Sequence, residues 1–154
     1  MTSQFSSEIR NLARFRHALR KFQRLSDQAV SKAGLTAQQH QLLLGIAGFT
    51  GRDRVTISEL ADFLQIQHHS AVELVNRAEG QGLVSREVND DDHRQVHVFL
   101  SGDGMRKLRM LGPLHRKELS GMRRILDLFR LERDNAANER LASRQMKGSK
   151  KRRD

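Results

Sequence analysis

The sequence predicts a mainly α-helical protein with one small β-hairpin, and three observations carry that reading. Residues 4–32 and 108–129 repeat apolar side chains at three- and four-residue spacing, the period of one helix face. Residues 56–80 hold two helix signatures separated by a short polar link. Residues 83–100 then change to strict alternation on either side of a polar centre, the period of paired strands.

In the first helical stretch Phe5, Leu12 and Leu19 are spaced by seven, as are Phe15, Phe22 and Ala29. Leu12, Phe15, Leu19 and Phe22 therefore alternate by three and four along one seam of a long amphipathic helix. Thr36-Ala37-Gln38-Gln39 has the form of a capping box, in which the threonine oxygen takes the amide three residues on and the glutamine reaches back. It opens a core helix running through Leu42, Leu43, Leu44 and Ile46 to Phe49. Thr56-Ile57-Ser58-Glu59 repeats the box before Leu60, Ala61, Phe63 and Leu64 and starts a shorter helix.

After Gln65-Ile66-Gln67 the residues Ala71, Leu74, Val75 and Ala78 fall at i, i+3, i+4 and i+7, ending near Gly80 and Gly82. That stripe is the buried side of a second helix. Its opposite face collects His69, Ser70, Glu73, Asn76 and Arg77, groups able to exchange hydrogen bonds in a DNA major groove roughly 12 Å wide. Glu73 has two readings there: an acceptor for cytosine N4, or the partner of Ser70 in a further capping box. The second is favoured.

Leu83–Val88 and Gln95–Leu100 read as a hairpin, with Val84, Arg86 and Val88 on one face of the first strand and Val96, Val98 and Leu100 on one face of the second. Its tip, Asn89-Asp90-Asp91-Asp92-His93-Arg94, is too polar for burial. A guanidinium at such a tip suits a narrow minor groove, and a neighbouring carboxylate such as Asp92 can aim Arg94. Two helices and a hairpin in this order make a winged helix-turn-helix. Leu108, Leu111, Leu119, Met122, Ile125, Leu126 and Phe129 then form a second long amphipathic helix, which Gly112-Pro113 should kink or break because proline lacks an amide hydrogen and crowds the preceding turn. The two terminal helices can pack within one chain or interleave with a second copy.

Charge is unevenly placed. Residues 1–32 carry 7 basic and 2 acidic groups, 33–100 carry 5 and 9, 101–139 carry 9 and 6, and 140–154 carry 7 and 1. The basic excess behind a pI near 11.1 thus lies in the terminal segments, and composition alone does not place a phosphate-binding surface. Within the acidic middle segment phosphate affinity would come from Arg52, Arg54, Arg77, Arg86 and Arg94, and would depend strongly on salt.

The length fits one domain over residues 1–139, with 33–100 as the reader, 1–32 and 101–139 as flanking helices, and 140–154 as a basic disordered tail. Cysteine is absent, which excludes a disulfide framework and a thiol switch. Arg10 and Arg14 interrupt any signal-peptide core, and no run of 18 apolar residues occurs. A soluble cytoplasmic protein is expected.

Taken together, Gly34-Leu35-Thr36-Ala37-Gln38-Gln39-His40, Ser58-Glu59-Leu60-Ala61, the stretch Val75–Arg86, Asp92-His93-Arg94 and Leu100-Ser101-Gly102-Asp103-Gly104 resemble, in this order, the multiple-antibiotic-resistance-regulator (MarR) family of bacterial transcription regulators. The resemblance covers about residues 8–130. It implies a homodimer whose terminal helices interleave, with two recognition helices one DNA turn apart on a pseudo-palindromic operator. It further implies that Arg94 enters the minor groove with Asp92 orienting it, that residues 67–77 meet the major groove, and that Arg77 and Arg86 lie close to the backbone. The candidate DNA-binding set is therefore Ser58, Gln67, His68, His69, Ser70, Glu73, Asn76, Arg77, Arg86, Asp92 and Arg94. Repression relieved by a small aromatic or phenolic effector is implied by the resemblance alone. With no Trp or Tyr in the chain, an effector pocket would be aliphatic, with a residue such as His40 as its polar group.

Two other classes compete. A zinc-responsive regulator would draw on seven histidines, including His68, His69, His93 and His97, but adjacent His68 and His69 diverge by about 100° on a helix and do not readily chelate one ion. A winged-helix module that binds protein rather than DNA would suit the acidic reader segment and Glu73. No catalytic triad, phosphate loop or HExxH spacing is present, so no enzymatic activity, metal site or cofactor is expected.

Overall fold

The computed structural model describes residues 3–49, 54–88 and 95–127. Its elements are α1 (Ser3–Lys32), α2 (Ala37–Gly48), β1 (Arg54–Thr56), α3 (Ile57–Leu64), α4 (His68–Gly80), β2 (Val84–Val88), β3 (Val96–Leu100), α5 (Gly102–Met110) and a further helix, α6, described over residues 112–127. The described residues fall into two compact units. One holds α1 up to Phe22 and α6 from Arg116, and the other is Gln23–His115.

The second unit contains the core. Val30, Leu42, Leu43, Ile46, Val55, Leu60, Val75, Val84 and Val98 are sealed from solvent, drawn from every element of the unit except α5 and the first residues of α6. Burying each such aliphatic side chain contributes roughly 1.5–3 kcal/mol. Both expected capping boxes are formed. In α2 the Gln39 amide donates to Thr36 Oγ1 at 3.1 Å and the Thr36 amide donates to Gln39 Oε1 at 2.9 Å. In α3 the equivalent pair joins Thr56 and Glu59 at 3.2 and 2.8 Å. The Gln39 side-chain Nε2 donates to Gln81 Oε1 at 2.5 Å, tying the start of α2 to the end of α4. Where α1 ends, Gly34 takes φ +72°, and Lys107 Nζ from α5 donates to the carbonyls of Ala33 and Gly34 at 3.3 and 3.2 Å. A cation there satisfies carbonyls that have no helical partner and complements the helix dipole.

The expected hairpin forms, and its register sets Val84 opposite Leu100, Arg86 opposite Val98 and Val88 opposite Val96. A third strand, β1, pairs with the other edge of β3, so the sheet order is β1-β3-β2. Three residues are too few to display alternation, which is why the sequence shows a hairpin where the fold has a small sheet. Val55, buried opposite Val98, holds β1 in place.

Ser101 starts α5. Its Oγ accepts from the Gly104 amide at 3.0 Å and donates to the Gly82 carbonyl at 2.5 Å, while its own amide donates to the Leu83 carbonyl at 3.1 Å. Gly104 lies so close to Leu83 that a Cβ would collide with the Leu83 carbonyl oxygen. The first turn of α5 thus docks backbone to backbone on the turn after α4. At the other end Leu111 interrupts the helix for one residue, with its amide still bonded back to Lys107 and Leu108 and its carbonyl already accepting from His115. The expected kink or break at Gly112-Pro113 is a one-residue break, and Pro113 falls in the first turn of α6, where its missing amide hydrogen leaves no bond unmade.

In the first unit Phe15, Leu19 and Phe22 of α1 and Met122, Ile125 and Leu126 of α6 line an almost wholly apolar groove of about 180 Å³. Leu12, Leu19, Leu119 and Leu126 are 56, 48, 69 and 58 % exposed in the single chain. The seam read from the sequence is present, and the isolated chain leaves much of it in water. Phe129 and residues 140–154 lie outside the described residues, and no helix among those described is long and apolar enough to cross a membrane.

Candidate nucleic-acid interface

The link between α3 and α4 sets the angle of the helix pair. Gln65 adopts φ +53°, ψ +44° at the end of α3, a left-handed conformation that costs a non-glycine residue roughly 1–2 kcal/mol. Hydrogen bonds hold it: the Gln65 amide donates to Asp62 O at 3.1 Å, its side-chain nitrogen to the same carbonyl at 2.6 Å, and the Ile66 amide to Ala61 O at 3.0 Å. The chain then turns straight into α4, with Gln67 as its N-cap and no side-chain cap bond.

Helix α4 buries Ala71, Leu74, Val75 and Ala78 at 0–3 % exposure and turns its other face to solvent. Gln67, His68, His69, Glu73, Asn76 and Arg77 are exposed and Ser70 is half-buried. The expected division into a buried stripe and a polar face therefore holds, with Ser70 at its edge. The capping box expected between Ser70 and Glu73 is not formed. The helix begins two residues before Ser70, which puts that serine in the first turn, and Glu73 instead faces Arg77 one turn on, its Oε2 3.9 Å from Arg77 Nη1.

Ser58 and His68 come together although ten residues separate them. Both line a concavity of about 330 Å³ with Thr56, Ile57, Gln95 and Val96, where the starts of α3 and α4 meet the first residues of β3. This hollow lies at the base of the hairpin, one residue from Arg94 in sequence. Asp92 and Arg94 themselves, with His93 and Arg52, lie outside the described residues.

Arg86 crosses from β2 to α4. Its Nη1 donates to Asn76 Oδ1 at 2.7 Å and its Nη2 to Glu79 Oε2 at 2.5 Å, with the Arg86 and Glu79 side chains only about one-third exposed. Arg54 of β1 meets Glu87 of β2 at 3.3 Å across the sheet, both about half exposed or more. Thus Arg54, Arg77 and Arg86, three of the cations expected to serve phosphate, each face a carboxylate in the free chain. The Arg54 and Arg77 pairs are open to water and screened, worth about 0–1 kcal/mol each. The Arg86 contact is drier and made through two acceptors.

His40 lies in the core rather than at the surface. It is 1 % exposed, its Nε2 is 2.9 Å from His115 Nε2, and the rings stack with centroids 5.2 Å apart. One ring must donate and the other accept, so this pair closes the core between α2 and the start of α6. Among the described residues no three His, Asp or Glu side chains come together in a way that could hold a metal ion.

A helix set against a shorter one by a tight turn, with a three-stranded sheet beside it, defines a winged helix-turn-helix fold. Residues 33–95 match the model of the MarR family. Among solved structures it is similar to a DNA complex of MepR from S. aureus, at 18 % identity over 93 % of this chain and 98 % of that one, with a TM-score of 0.65. It is similar to wild-type MarR from E. coli in its apo form at 25 % identity, over 71 % of this chain and 83 % of that one, with a TM-score of 0.58. A third is BpsR of Bordetella bronchiseptica, whose DNA binding is regulated by 6-hydroxynicotinic acid, at 19 % identity over 68 % of this chain and 77 % of that one, with a TM-score of 0.57. No curated protein matches the sequence.

Proposed function

We propose that the protein is a homodimeric, sequence-specific DNA-binding transcription regulator working in the bacterial cytoplasm, a repressor released by a small-molecule effector. The observation that carries the reading is α4: a helix anchored by four buried aliphatic residues that turns Gln67, His68, His69, Glu73, Asn76 and Arg77 outward beside a small sheet. A major groove admits such a helix, and these groups can donate to or accept from base edges. Ser58 at the start of α3 and Arg77 at the far side of α4 serve the flanking phosphates. Asp92 and Arg94 form the wing, with Arg94 in the minor groove.

Dimerisation rests on the exposed seam of α1 and α6. Leu12, Leu19, Leu119 and Leu126, each about half exposed or more, are what a second copy would cover. The operator is then a pseudo-palindrome. The likeness to MepR in its DNA complex supports the DNA assignment, and the likeness to BpsR supports effector control by a small aromatic acid.

A fluorescence-anisotropy titration of a mixed-sequence duplex at two salt concentrations tests this, comparing the full chain with Arg94→Ala, Arg77→Ala and a chain ending at residue 139. Loss of affinity in both arginine variants, with the shortened chain still binding, supports the reading. Affinity indifferent to both substitutions but abolished by removal of residues 140–154 refutes it and leaves a tail-driven charge binder.

A further inference from the structure

We propose that Arg86 is a positioning residue for sequence reading, acting through Asn76 rather than through a phosphate. The inference rests on the DNA-reading function proposed above and deepens it. Arg86 is the only described side chain of the hairpin bonded to the exposed face of α4, and it spends both terminal nitrogens there, on Asn76 Oδ1 at 2.7 Å and Glu79 Oε2 at 2.5 Å. Asn76 and Glu79 are one helical turn apart, so a single planar guanidinium spans the turn. Lysine, a point charge on a flexible stem, cannot reproduce that fork.

The contact also fixes which way Asn76 faces. A guanidinium only donates, so the Asn76 atom it meets must be the oxygen, and the amide NH2 is turned away from it. An asparagine on an exposed helix face otherwise rotates between donor and acceptor presentations, or adopts the bidentate geometry that reads adenine. With its oxygen drawn toward Arg86, Asn76 offers donors to the groove, which suits acceptor edges such as guanine O6 and N7 or thymine O4. The negative charge of Glu79 keeps the guanidinium in place. Because the Arg86 side chain is 34 % exposed and both of its terminal nitrogens are engaged on α4, its charge is paired within the protein. Losing a phosphate contact lowers the salt slope of binding by about 0.9 per site, whereas losing an internal clamp leaves it unchanged.

The test uses the full chain and duplexes enriched by that chain from a random-sequence library. Base preference and the salt slope are then measured for wild type, Arg86→Lys, Arg86→Ala, Asn76→Ala and the Arg86→Lys, Asn76→Ala double variant, with thermal unfolding as a check on folding. For Arg86→Lys we expect about a tenfold loss of discrimination at one base pair in each half-site, an unchanged salt slope, and no further loss at that base pair when Asn76 is already alanine. Three results overturn the proposal: full rescue of preference by lysine, a slope lowered by about one per half-site in Arg86→Ala, or further loss of preference from Arg86→Lys in the Asn76→Ala background. Failure of the wild type to enrich any duplex removes the DNA reading itself, and the role of Arg86 with it.

Discussion

Gly104→Ala should be one of the most destabilising single-methyl changes in this chain. The added carbon would run into the Leu83 carbonyl oxygen and sit 3.1 Å from Leu83 C and 3.5 Å from Leu43 Cδ2. Overpacking of this kind costs about 1–3 kcal/mol, and a backbone carbonyl has no rotamer by which to give way. Relief requires α5 to lift from the turn after α4, which strains the Ser101 amide bond to the same carbonyl, worth about 1 kcal/mol. The better helix propensity of alanine returns at most about 1 kcal/mol. The net expectation is a loss of about 1–3 kcal/mol, or a Tm lowered by roughly 3–10 °C in a chain of this size. The internal control is Gly102→Ala in the same turn, where nothing lies within 4 Å of the added carbon and the change should stay within about 0.5 kcal/mol. Urea and thermal unfolding at one fixed protein concentration, because a dimer's stability depends on concentration, would measure both. A Gly104→Ala protein within about 0.5 kcal/mol of wild type, the range of an ordinary surface change, would refute the docking of α5 on Leu83.

Three further outcomes follow from the same geometry. Thr56→Ala removes the oxygen that accepts the Glu59 amide and should cost about 1 kcal/mol by chemical denaturation; no change would mean that the capping box contributes nothing. His40→Ala empties a fully buried site and leaves His115 without its 2.9 Å partner, so a loss of about 2–4 kcal/mol is expected, and one below about 1 kcal/mol would contradict the buried pair. Leu19→Glu and Leu126→Glu, placed in the apolar groove of the first unit, should shift the protein toward monomer in sedimentation equilibrium, whereas an unchanged mass would remove the seam from the proposed interface.

Much of the fold was legible because it is written in local rules. Two capping boxes, at Thr36 and Thr56, mark helix starts whose bonds the structure forms as read, and the Ala71, Leu74, Val75, Ala78 stripe predicts the buried side of α4 without knowledge of what covers it. What escaped depends on distant partners. The strand β1 is recognisable only from its pairing with β3. The Arg86 fork joins residues on two elements, and nothing in Asn76 or Glu79 announces that an arginine ten or seven positions on will reach them. His40 read as a polar lining group because one sequence cannot show that His115, 75 residues later, meets it in the core. The Ser70 and Glu73 spacing, in turn, satisfied a capping rule that the earlier start of the helix at His68 made irrelevant: a local signature acts only where the chain turns.

The central claim is that α4 reads base sequence in a twofold arrangement, and selection of binding sites from a random duplex library tests it most directly. Enrichment of an inverted repeat with half-sites one helical turn apart, about 10 base pairs from centre to centre, is the predicted result. Recovery of a duplex pool no different from the input, despite measurable salt-dependent binding, would contradict it.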